Sequence, residues 1–538
     1  MADNTTPFSV SENNSSQEPV NQENVFSQTV VNPTQNFSQD QNATSFPPSF
    51  VNQGQNQETS IPNQTEASQQ FNSPPPPVFT QSDASNQTSD SMVAQLKPKH
   101  SSKVPLIGIV VLFLILIVGA LAYFLLNKGS QANTTNNSGN NTVTKPQTTL
   151  TYWGLWEPST VMQDIIQQYQ NQNPNVVISY IQQTKTDYRT RLQSAIEGGT
   201  GPDIFRYHNT WFPMIKSDMQ PDSEKVINMD DYYPIIKENA VIGGETFGVP
   251  LGFDTLMLYY NTQKLQSAGI SQPPTTWEGL IDSAEKLTVA DPKSGIQIGG
   301  IALGTTNNVD NWSDIIGLLL MQNGSDPAKE IPTEILDFYT QFASSKNVWD
   351  ATLPSSTYAF ATEKAAMIFA PSWRAHEIRA INPNLQFKTA PVPQLSGSDT
   401  VNWATYWLEG VSRQSKNADE AWKFLAYLSS SENLIKLYAA ESQSSAERKF
   451  GEPYPRLSLS STLQSDPVVG SVISQGQSAQ SWYLCSRTFD DGLNDGIIKY
   501  FEDAINAINK GAASNTVIPT LTSGINQKLS LFGVTSQN

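Results

Sequence analysis

Hydrophobic and polar positions divide the chain into three parts. Residues 1–102 are rich in Asn, Gln, Ser, Thr and Pro and show no apolar periodicity, so this stretch lacks the means to bury a core. Val104–Leu126 is an uncharged apolar run of 23 residues. From Leu150 onward, short apolar segments alternate with amphipathic segments. The pattern predicts a polar tail, one long apolar helix and one folded domain.

The first part of the domain is predicted to alternate strands and helices. Strands are expected at 150–156, 175–181 and 203–207, with helices at 161–171 and 187–197. Such a βαβα order indicates a mainly parallel sheet covered by helices. Ligands of such sheets bind beyond the carboxyl ends of the strands. Residues that directly follow the strands are therefore candidates for a binding site.

The apolar run is predicted to cross a membrane. Its 23 residues can span a hydrocarbon core of about 30 Å, and it has no polar stripe of the kind that a buried helix of a soluble protein keeps. Lys97, Lys99 and Lys103 precede it, whereas Lys128 is the only charge soon after it, so the N-terminus is expected in the cytoplasm. The predicted product is a single-pass protein of the cell membrane. Its parts are a disordered Asn/Gln/Ser/Pro-rich cytoplasmic tail (1–102), a transmembrane signal-anchor helix (103–127), a flexible linker (128–149) and an extracellular domain (150–535).

Charge and composition exclude several classes of function. The chain has 32 basic and 49 acidic residues, a net charge of −17, which argues against nucleic acid as a partner because phosphate recognition needs a basic surface. Cys485 is the only cysteine, so no intrachain disulfide or Cys-rich metal site is possible. Three scattered histidines do not form a zinc motif. We predict no metal site and no cofactor.

Four motifs occur in the order typical of one known family. They are Gly201–Ile204 (GPDI), Gly248–Asn261 (GVPLGFDTLMLYYN), Glu363–Trp373 (EKAAMIFAPSW) and Gly410–Ser429 (GVSRQSKNADEAWKFLAYLS). On these motifs the sequence resembles the extracellular solute-binding proteins of ABC transporters, in particular the sugar-binding, maltose-binding-protein-like family 1. The resemblance covers most of the domain.

The resemblance implies a two-lobed periplasmic-binding-protein-like α/β fold of type II with hinge strands. Lobe 1 would comprise about 150–253 and 408–445, and lobe 2 about 254–407 and 446–535. A ligand in the cleft would contact both lobes and favour the closed form. The implied protein is not an enzyme. It is the membrane-anchored substrate-binding component of an ABC importer, with a carbohydrate as ligand and the permease subunits as partners.

Aromatic residues are the first candidates for the cleft, because a sugar presents apolar C–H faces to flat rings. Some follow predicted strands or lie at a predicted crossing between lobes, and the resemblance implies two more. The predicted cleft aromatics are Trp156, Tyr207, Trp211, Tyr406 and Trp407, together with Trp373 and Trp482 from the resemblance. Packing inside a lobe is expected for Trp153, Trp277, Trp312, Trp349, Trp403 and Trp422.

Polar candidates lie at the same places. The resemblance implies that Asp254, at the first crossing, accepts sugar hydroxyls, and such charge-assisted bonds are worth roughly 1.5–3 kcal/mol. Glu157 follows the first strand, and Glu409 and His208 are further ligand-binding candidates, although a surface ion pair is an alternative role for Glu409. Arg206 and Arg374 lie nearby in the prediction. If they or His208 faced the ligand, an acidic or uronic sugar would become plausible.

Other functions remain open. The domain could bind a non-sugar solute such as a polyamine or a peptide, or it could act as a sensor or adhesin. A glycosidase would use a carboxylate pair, for which Glu157 and Asp254 are candidates. Iron binding by Tyr259 and Tyr260 is disfavoured, because adjacent residues of a strand point to opposite faces.

Overall fold

The computed structural model describes residues 146–534 of the chain. The predicted tail, the predicted signal anchor and nearly all of the predicted linker lie outside the described residues. Within 146–534, none of the helices is both long enough and apolar enough to traverse a bilayer.

The strands are mostly short. In chain order they are β1 (Thr148–Gly154), β2 (Val176–Gln182), β3 (Ile204–His208), β4 (Met219–Gln220), β5 (Val241–Ile242), β6 (Glu245–Thr246), β7 (Asp254–Thr255), β8 (Met257–Asn261), β9 (Val289–Asp291), β10 (Gly295–Ile298), β11 (Met367–Ala370), β12 (Phe387–Ala390), β13 (Asn402–Thr405), β14 (Trp407–Ser412) and β15 (Ala479–Gln480).

Helices make up more of the domain than strands. In chain order they are α1 (Ser159–Gln172), α2 (Tyr188–Glu197), α3 (Phe212–Ile215), α4 (Pro234–Ala240), α5 (Thr262–Ser267), α6 (Trp277–Leu287), α7 (Trp312–Gln322), α8 (Thr333–Thr340), α9 (Ser356–Ala361), α10 (Arg374–Ile381), α11 (Ala418–Leu428), α12 (Ser431–Ser442), α13 (Ser460–Leu463), α14 (Gly470–Gln475), α15 (Leu493–Asn509) and α16 (Ser514–Leu531).

A five-stranded sheet forms one half of the domain, in the order β2-β1-β3-β14-β4. β1 pairs in parallel with β2 and β3, whereas β14 is antiparallel to β3 and β4. We call this sheet and the helices packed on it the first lobe. The predicted strand–helix order from β1 to β3 is confirmed, with boundaries displaced by at most two residues.

Local patterning explains why these elements form. Along β1, Leu150, Tyr152 and Gly154 are buried while Thr149 is exposed, which is the two-residue period of a strand with one face on the core. Helix α1 buries residues spaced one turn apart, as an amphipathic helix does. They are Val161, Met162, Ile165, Ile166 and Tyr169.

The other half, which we call the second lobe, is built on two small sheets in the orders β11-β8-β12 and β15-β13-β7. Both β11 and β12 run antiparallel to β8, so the predicted parallel sheet holds only for the first lobe.

Most of the tryptophans predicted to pack inside a lobe are buried. These are Trp277, Trp312, Trp349, Trp403 and Trp422, and Trp153 differs by remaining partly exposed.

Three segments connect the lobes. The first precedes β7, where Val249 bridges to Glu409 of the first lobe before the chain enters the second. The second is Tyr406, which separates β13 in one lobe from β14 in the other. The third follows α12, and Pro453 in it accepts a hydrogen bond from the Phe253 N–H of the first segment at 2.9 Å. These segments meet where the two lobes face each other.

Candidate functional site

A cavity of about 360 Å³ lies between the lobes. It is lined by residues that follow β1 and β2, by the end of β3, and by all three connecting segments. The carboxyl ends of parallel strands lie at one edge of a sheet, which is where ligands bind in α/β folds. The cavity therefore lies where the sequence predicts a site.

Most of the predicted ligand-binding residues line this cavity. They are Trp156, Glu157, His208, Asp254, Trp373, Tyr406 and Trp407.

Four predicted residues do not line it. Tyr207 is fully buried because strand residues alternate between faces, so its neighbours on β3 face the cavity and it does not. Trp211 is buried behind Trp407, at a ring-centroid distance of 5.2 Å. Glu409 is 1% exposed and covered by an arginine. Trp482 lies beside Tyr483 and outside the cavity lining.

Trp407 is the centre of an aromatic cluster on the first-lobe side. The rings of Trp156, His208 and Trp211 all meet it edge-on, with centroids 5.6, 5.1 and 5.2 Å away. Edge-to-face contacts of this kind stabilise ring orientation. Trp156 is 37% exposed despite its size. The cluster thus holds two partly exposed indoles in fixed positions at the cavity.

Trp373 contributes a ring from the second lobe, between β11 and α10. The guanidinium of Arg374 lies 4.4 Å from its ring centroid and that of Arg487 lies 5.7 Å away, within the range of cation–π attraction. Arg374 is itself buried and forms ion pairs with Glu377 and Asp310. It supports the indole from behind the cavity lining.

A buried three-residue ion cluster lies beneath the first-lobe rings. Arg206 contacts Glu157 at 2.6 Å and Glu409 at 2.5 Å, and each of the three side chains is at most 4% exposed. Burial disfavours the charge of Arg206, but Glu157 and Glu409 outweigh it and raise the Arg206 pKa well above its usual range. Burial raises the pKa of Glu409 to about 7. The predicted surface ion pair of Glu409 is therefore a buried one.

His208 is held as a neutral ring. Burial lowers its pKa to about 3, and its two ring nitrogens lie 2.8 Å from the Thr210 hydroxyl and 3.1 Å from the Thr405 hydroxyl. Both nitrogens thus have partners within the protein. His208 orients Trp407 and adds no charge to the cavity.

Asp254 lines the cavity but is already engaged. Its carboxylate accepts hydrogen bonds from the Ser372 N–H and hydroxyl, at 2.9 and 2.8 Å, and from the Thr255 N–H at 2.8 Å. Burial, followed by the charge of Glu452, raises the Asp254 pKa to about 7. Asp254 is the first residue of β7, and these donors occupy much of the capacity of its carboxylate to accept further bonds.

The third connecting segment adds a second ion cluster. Arg448 contacts Glu452 at 2.7 Å and Glu441 at 3.8 Å. Glu441 accepts a bond from the Glu452 N–H at 2.6 Å, and burial raises its pKa well above the usual range. The segment is tied to α12 and to the cavity wall by these contacts.

Comparison with known proteins decides the family. The sequence of residues 155–435, just over half of the chain, matches the bacterial extracellular solute-binding protein family. The chain is a bacterial extracellular solute-binding protein.

Individual relatives of this solute-binding protein are distant. The maltotriose-binding protein of Pyrococcus abyssi is 22% identical over 312 residues, which is 54% of this chain and 64% of that protein. The matched region therefore spans less than two thirds of that relative.

Two solved structures align with this chain at a TM-score of 0.59. They are the sugar-binding protein MalE from Xanthomonas citri and the cyclic α-maltosyl-1,6-maltose-binding protein from Arthrobacter globiformis. Each is 18% identical, and the alignments cover 71% and 72% of this chain and 98% and 100% of theirs. These alignments confirm the two-lobed α/β fold of periplasmic binding proteins.

Several residues that line the cavity are absent from the sequence-based prediction. Lys185 follows β2 and could have been found by the same strand-end rule that found Trp156. Asn311, which precedes α7, and Arg487 and Phe489, after β15, carry no local sequence signal. Only their long-range packing brings them to the cavity. The sequence predicts Arg206 near the cleft but does not indicate that it pairs with Glu157 and Glu409.

Metal ligands are not grouped anywhere in residues 146–534: this region has no cluster of three or more His, Cys, Asp or Glu side chains that could hold an ion. Cys485 is free and buried.

Proposed function

We propose that this solute-binding protein captures a carbohydrate in the interlobe cavity and delivers it to the permease of an ABC importer. The observation that carries the proposal is the placement of partly exposed indoles on both sides of the cavity, Trp156 and Trp407 from the first lobe and Trp373 from the second. Flat rings bind the apolar faces of sugar rings, while polar groups around them take the hydroxyls.

Contact with both lobes provides a mechanism for signalling the loaded state. A ligand held between Trp407 and Trp373 gains its full binding energy only when the lobes are close together, so it shifts the population toward the closed form. The three connecting segments are the natural hinges for this motion. The names of three relatives support a carbohydrate as the ligand class. They are binding proteins for maltotriose, for a sugar and for cyclic α-maltosyl-1,6-maltose.

The proposal is tested by calorimetry of the purified full-length protein against a panel of mono- and oligosaccharides. We expect binding by at least one saccharide, and Trp373→Ala should weaken it by about 2 kcal/mol, or roughly thirtyfold, as for a central aromatic contact. Trp153→Ala is the matched control, because Trp153 is partly exposed in the first lobe and does not line the cavity. Absence of binding by every saccharide would contradict the proposal.

We also propose that the ligand is released chemically unaltered. In support, the two carboxylates considered for a glycosidase are both engaged: Glu157 by Arg206 at 2.6 Å and Asp254 by Ser372 at 2.8 Å. Catalytic carboxylates need free access to the scissile bond and to water. Mass spectrometry of a bound saccharide after long incubation should recover it intact. Turnover that disappears in Glu157→Gln or Asp254→Asn would overturn this part.

Membrane attachment through residues 103–127 is proposed from the sequence alone. The uncharged run and the three preceding lysines support a single-pass anchor with the N-terminus in the cytoplasm. In intact cells, added protease should remove the domain and spare the N-terminal tail. Recovery of the full-length protein in the soluble fraction, or protection of the domain, would contradict the anchor.

A further inference from the structure

Charged side chains at the cavity fall into two groups. The hinge group consists of Glu157, Arg206, Asp254, Arg448 and Glu452, and the second group consists of the cations Lys185 and Arg487. Every side chain of the hinge group has a partner within the protein. Arg206 pairs with Glu157, Arg448 pairs with Glu452, and the Asp254 carboxylate accepts three hydrogen bonds. Within the hinge group, neither Arg206 nor Arg448 is left without a carboxylate partner.

Lys185 is not matched. It is exposed, and its ammonium makes no hydrogen bond and no ion pair with any residue between 146 and 534. The ammonium lies over the ring of Phe489, 4.5 Å from the ring centroid. Phe489 lines the cavity too. The contact holds the ammonium at the cavity while leaving its charge unpaired.

Arg487 is only weakly matched. Its nearest carboxylate, that of Asp310, is 3.6 Å away and also faces Arg374 at 3.8 Å. Asp310 in addition accepts the Thr357 N–H at 2.9 Å. Burial and the charge of Arg374 lower the pKa of Arg487. One carboxylate thus serves two guanidinium groups, and the side chain of Arg487 remains 39% exposed.

An unpartnered acceptor belongs to Asn311, which is bonded to Ser486, the residue before Arg487. Asn311 is 2% exposed and lines the cavity, and its amide nitrogen donates to Asp314 and to the Ser486 hydroxyl, each at 3.0 Å. Its carbonyl oxygen has no hydrogen-bond partner among the described residues. The contact with the Asp314 carboxylate fixes the orientation of the Asn311 amide, because a flipped amide would place its oxygen against a carboxylate oxygen. A buried acceptor without a donor is costly, and a sugar hydroxyl would satisfy it.

From these contacts we propose that the cavity selects a carbohydrate that bears a negatively charged substituent, which Lys185 and Arg487 neutralise, while Asn311 accepts a hydroxyl of the same molecule. This inference rests on the proposed function and narrows its ligand class. A guanidinium and an ammonium suit a carboxylate or a phosphate equally as charges, and the planar fork of arginine adds bidentate bonds. Trp373, 5.7 Å from the Arg487 guanidinium, offers a ring for the adjoining sugar face.

The test is calorimetry of the full-length protein on matched pairs that differ in charge alone. The panel contains trimers of glucuronate, galacturonate and mannuronate with the corresponding neutral trimers, and hexose phosphates with the free hexoses. We expect the tightest ligand to be an acidic member, at least tenfold tighter than its neutral counterpart, with binding that weakens as salt is raised. The uronate and phosphate arms distinguish the two kinds of anion.

Variants locate the charge recognition. Lys185→Gln and Arg487→Gln should each reduce the preference for the acidic member by about tenfold, while Lys185→Arg and Arg487→Lys should largely retain it. Lys286→Gln on α6 removes one exposed positive charge that is not part of the cavity lining and should leave the preference unchanged. Equal losses in Lys286→Gln would overturn the proposed site, since they would show a general charge effect.

The outcomes separate this inference from the function on which it rests. If the tightest ligand is neutral, or if the acidic preference survives both glutamine variants, the inference is overturned and carbohydrate capture stands. If no carbohydrate of either charge binds, both are overturned.

Discussion

Arg206 and Arg487 both present a guanidinium at the cavity, but their surroundings differ. Arg206 is 4% exposed and lies within 2.6 Å of two carboxylates. Arg487 is 39% exposed, and its one carboxylate partner is 3.6 Å away and shared with Arg374. The first guanidinium is part of the folded core beneath the cavity, whereas the second is exposed and has no close carboxylate partner among the described residues.

The difference shows that lining a cavity does not by itself make a residue a ligand contact. A charge that is fully paired inside the protein must break those pairs before it can bind anything else, and the loss of a buried partner is expensive. An exposed charge with a distant partner exchanges water for a ligand at lower cost. Pairing within the protein therefore separates structural charges from recognition charges.

The largest expected effect is the loss of the buried arginine. Arg206→Met should lower the free energy of unfolding by about 3–5 kcal/mol, because it leaves Glu157 and Glu409 buried without a counter-charge. Arg487→Met should lower it by less than about 1 kcal/mol. Urea unfolding of the full-length protein followed by tryptophan fluorescence measures both. Equal losses of unfolding free energy in the two variants would show that Arg206 and Arg487 contribute alike to the stability of the fold.

A second prediction concerns pH. The Asp254 pKa is raised from 3.8 to about 7, so the folded state holds this proton more tightly than the unfolded chain. Its contribution to stability is fully present below about pH 4 and is lost as the pH rises toward about 7. Glu452→Gln removes the negative charge that is the second cause of the raised Asp254 pKa. The decrease in unfolding free energy between about pH 4 and pH 7 should then be smaller by roughly 1.4 kcal/mol for each unit by which the Asp254 pKa falls.

This pH prediction is checked by unfolding free energies at intervals between about pH 4 and pH 8. Glu334→Gln, which removes an exposed carboxylate on α8, serves as the control and should parallel the parent protein. A Glu452→Gln curve that also runs parallel to the parent would show that Glu452 does not act on Asp254.

A smaller effect is expected where two connecting segments touch. A Cβ at Gly252 would lie 2.6 Å from the Cβ of Glu452, so Gly252→Ala should push the first and third segments apart and lower the unfolding free energy by about 1–3 kcal/mol. At Gly279, inside α6, an added Cβ would lie 3.3 Å from the Thr276 hydroxyl, which must shift slightly. The better helix propensity of Ala offsets this cost, so Gly279→Ala should lose much less stability than Gly252→Ala. Unchanged stability in Gly252→Ala would mean that the segments are not closely packed.

The smallest expected change is at Lys185. Because its ammonium has no carboxylate partner within the part of the chain that the structure describes, Lys185→Gln should alter the unfolding free energy by no more than about 0.5 kcal/mol. Thermal unfolding beside the parent protein is sufficient to measure it. A clear loss of stability would show that Lys185 has a structural role and contradict the view that its charge is unpaired.

The first lobe was predictable because its signals are local. The strand–helix order from β1 to β3 follows from apolar spacing within each segment, and the structure places these elements within two residues of the prediction. The second lobe was less accessible. Its strands β7 and β15 have two residues each, too short to show a period, and they exist only through pairing with β13.

The site was predictable only in part, for the same reason. The strand-end rule found Trp156 and His208, and the alternation of strand faces would have excluded Tyr207 had it been applied to β3 as it was to Tyr259 and Tyr260. No local rule predicts that Arg206 pairs with Glu409. The two residues are 203 positions apart and lie opposite each other because of the register of β14 on β3.

By itself, the sequence determined the α/β class of the domain, its family and the approximate position of the cavity, because periodicity, motifs and strand ends are properties of short stretches. Which charges at the cavity are paired within the protein follows only from the folded structure. Pairing depends on contacts between residues hundreds of positions apart, and so the buried Arg206 and the exposed Arg487 are indistinguishable until the chain is folded.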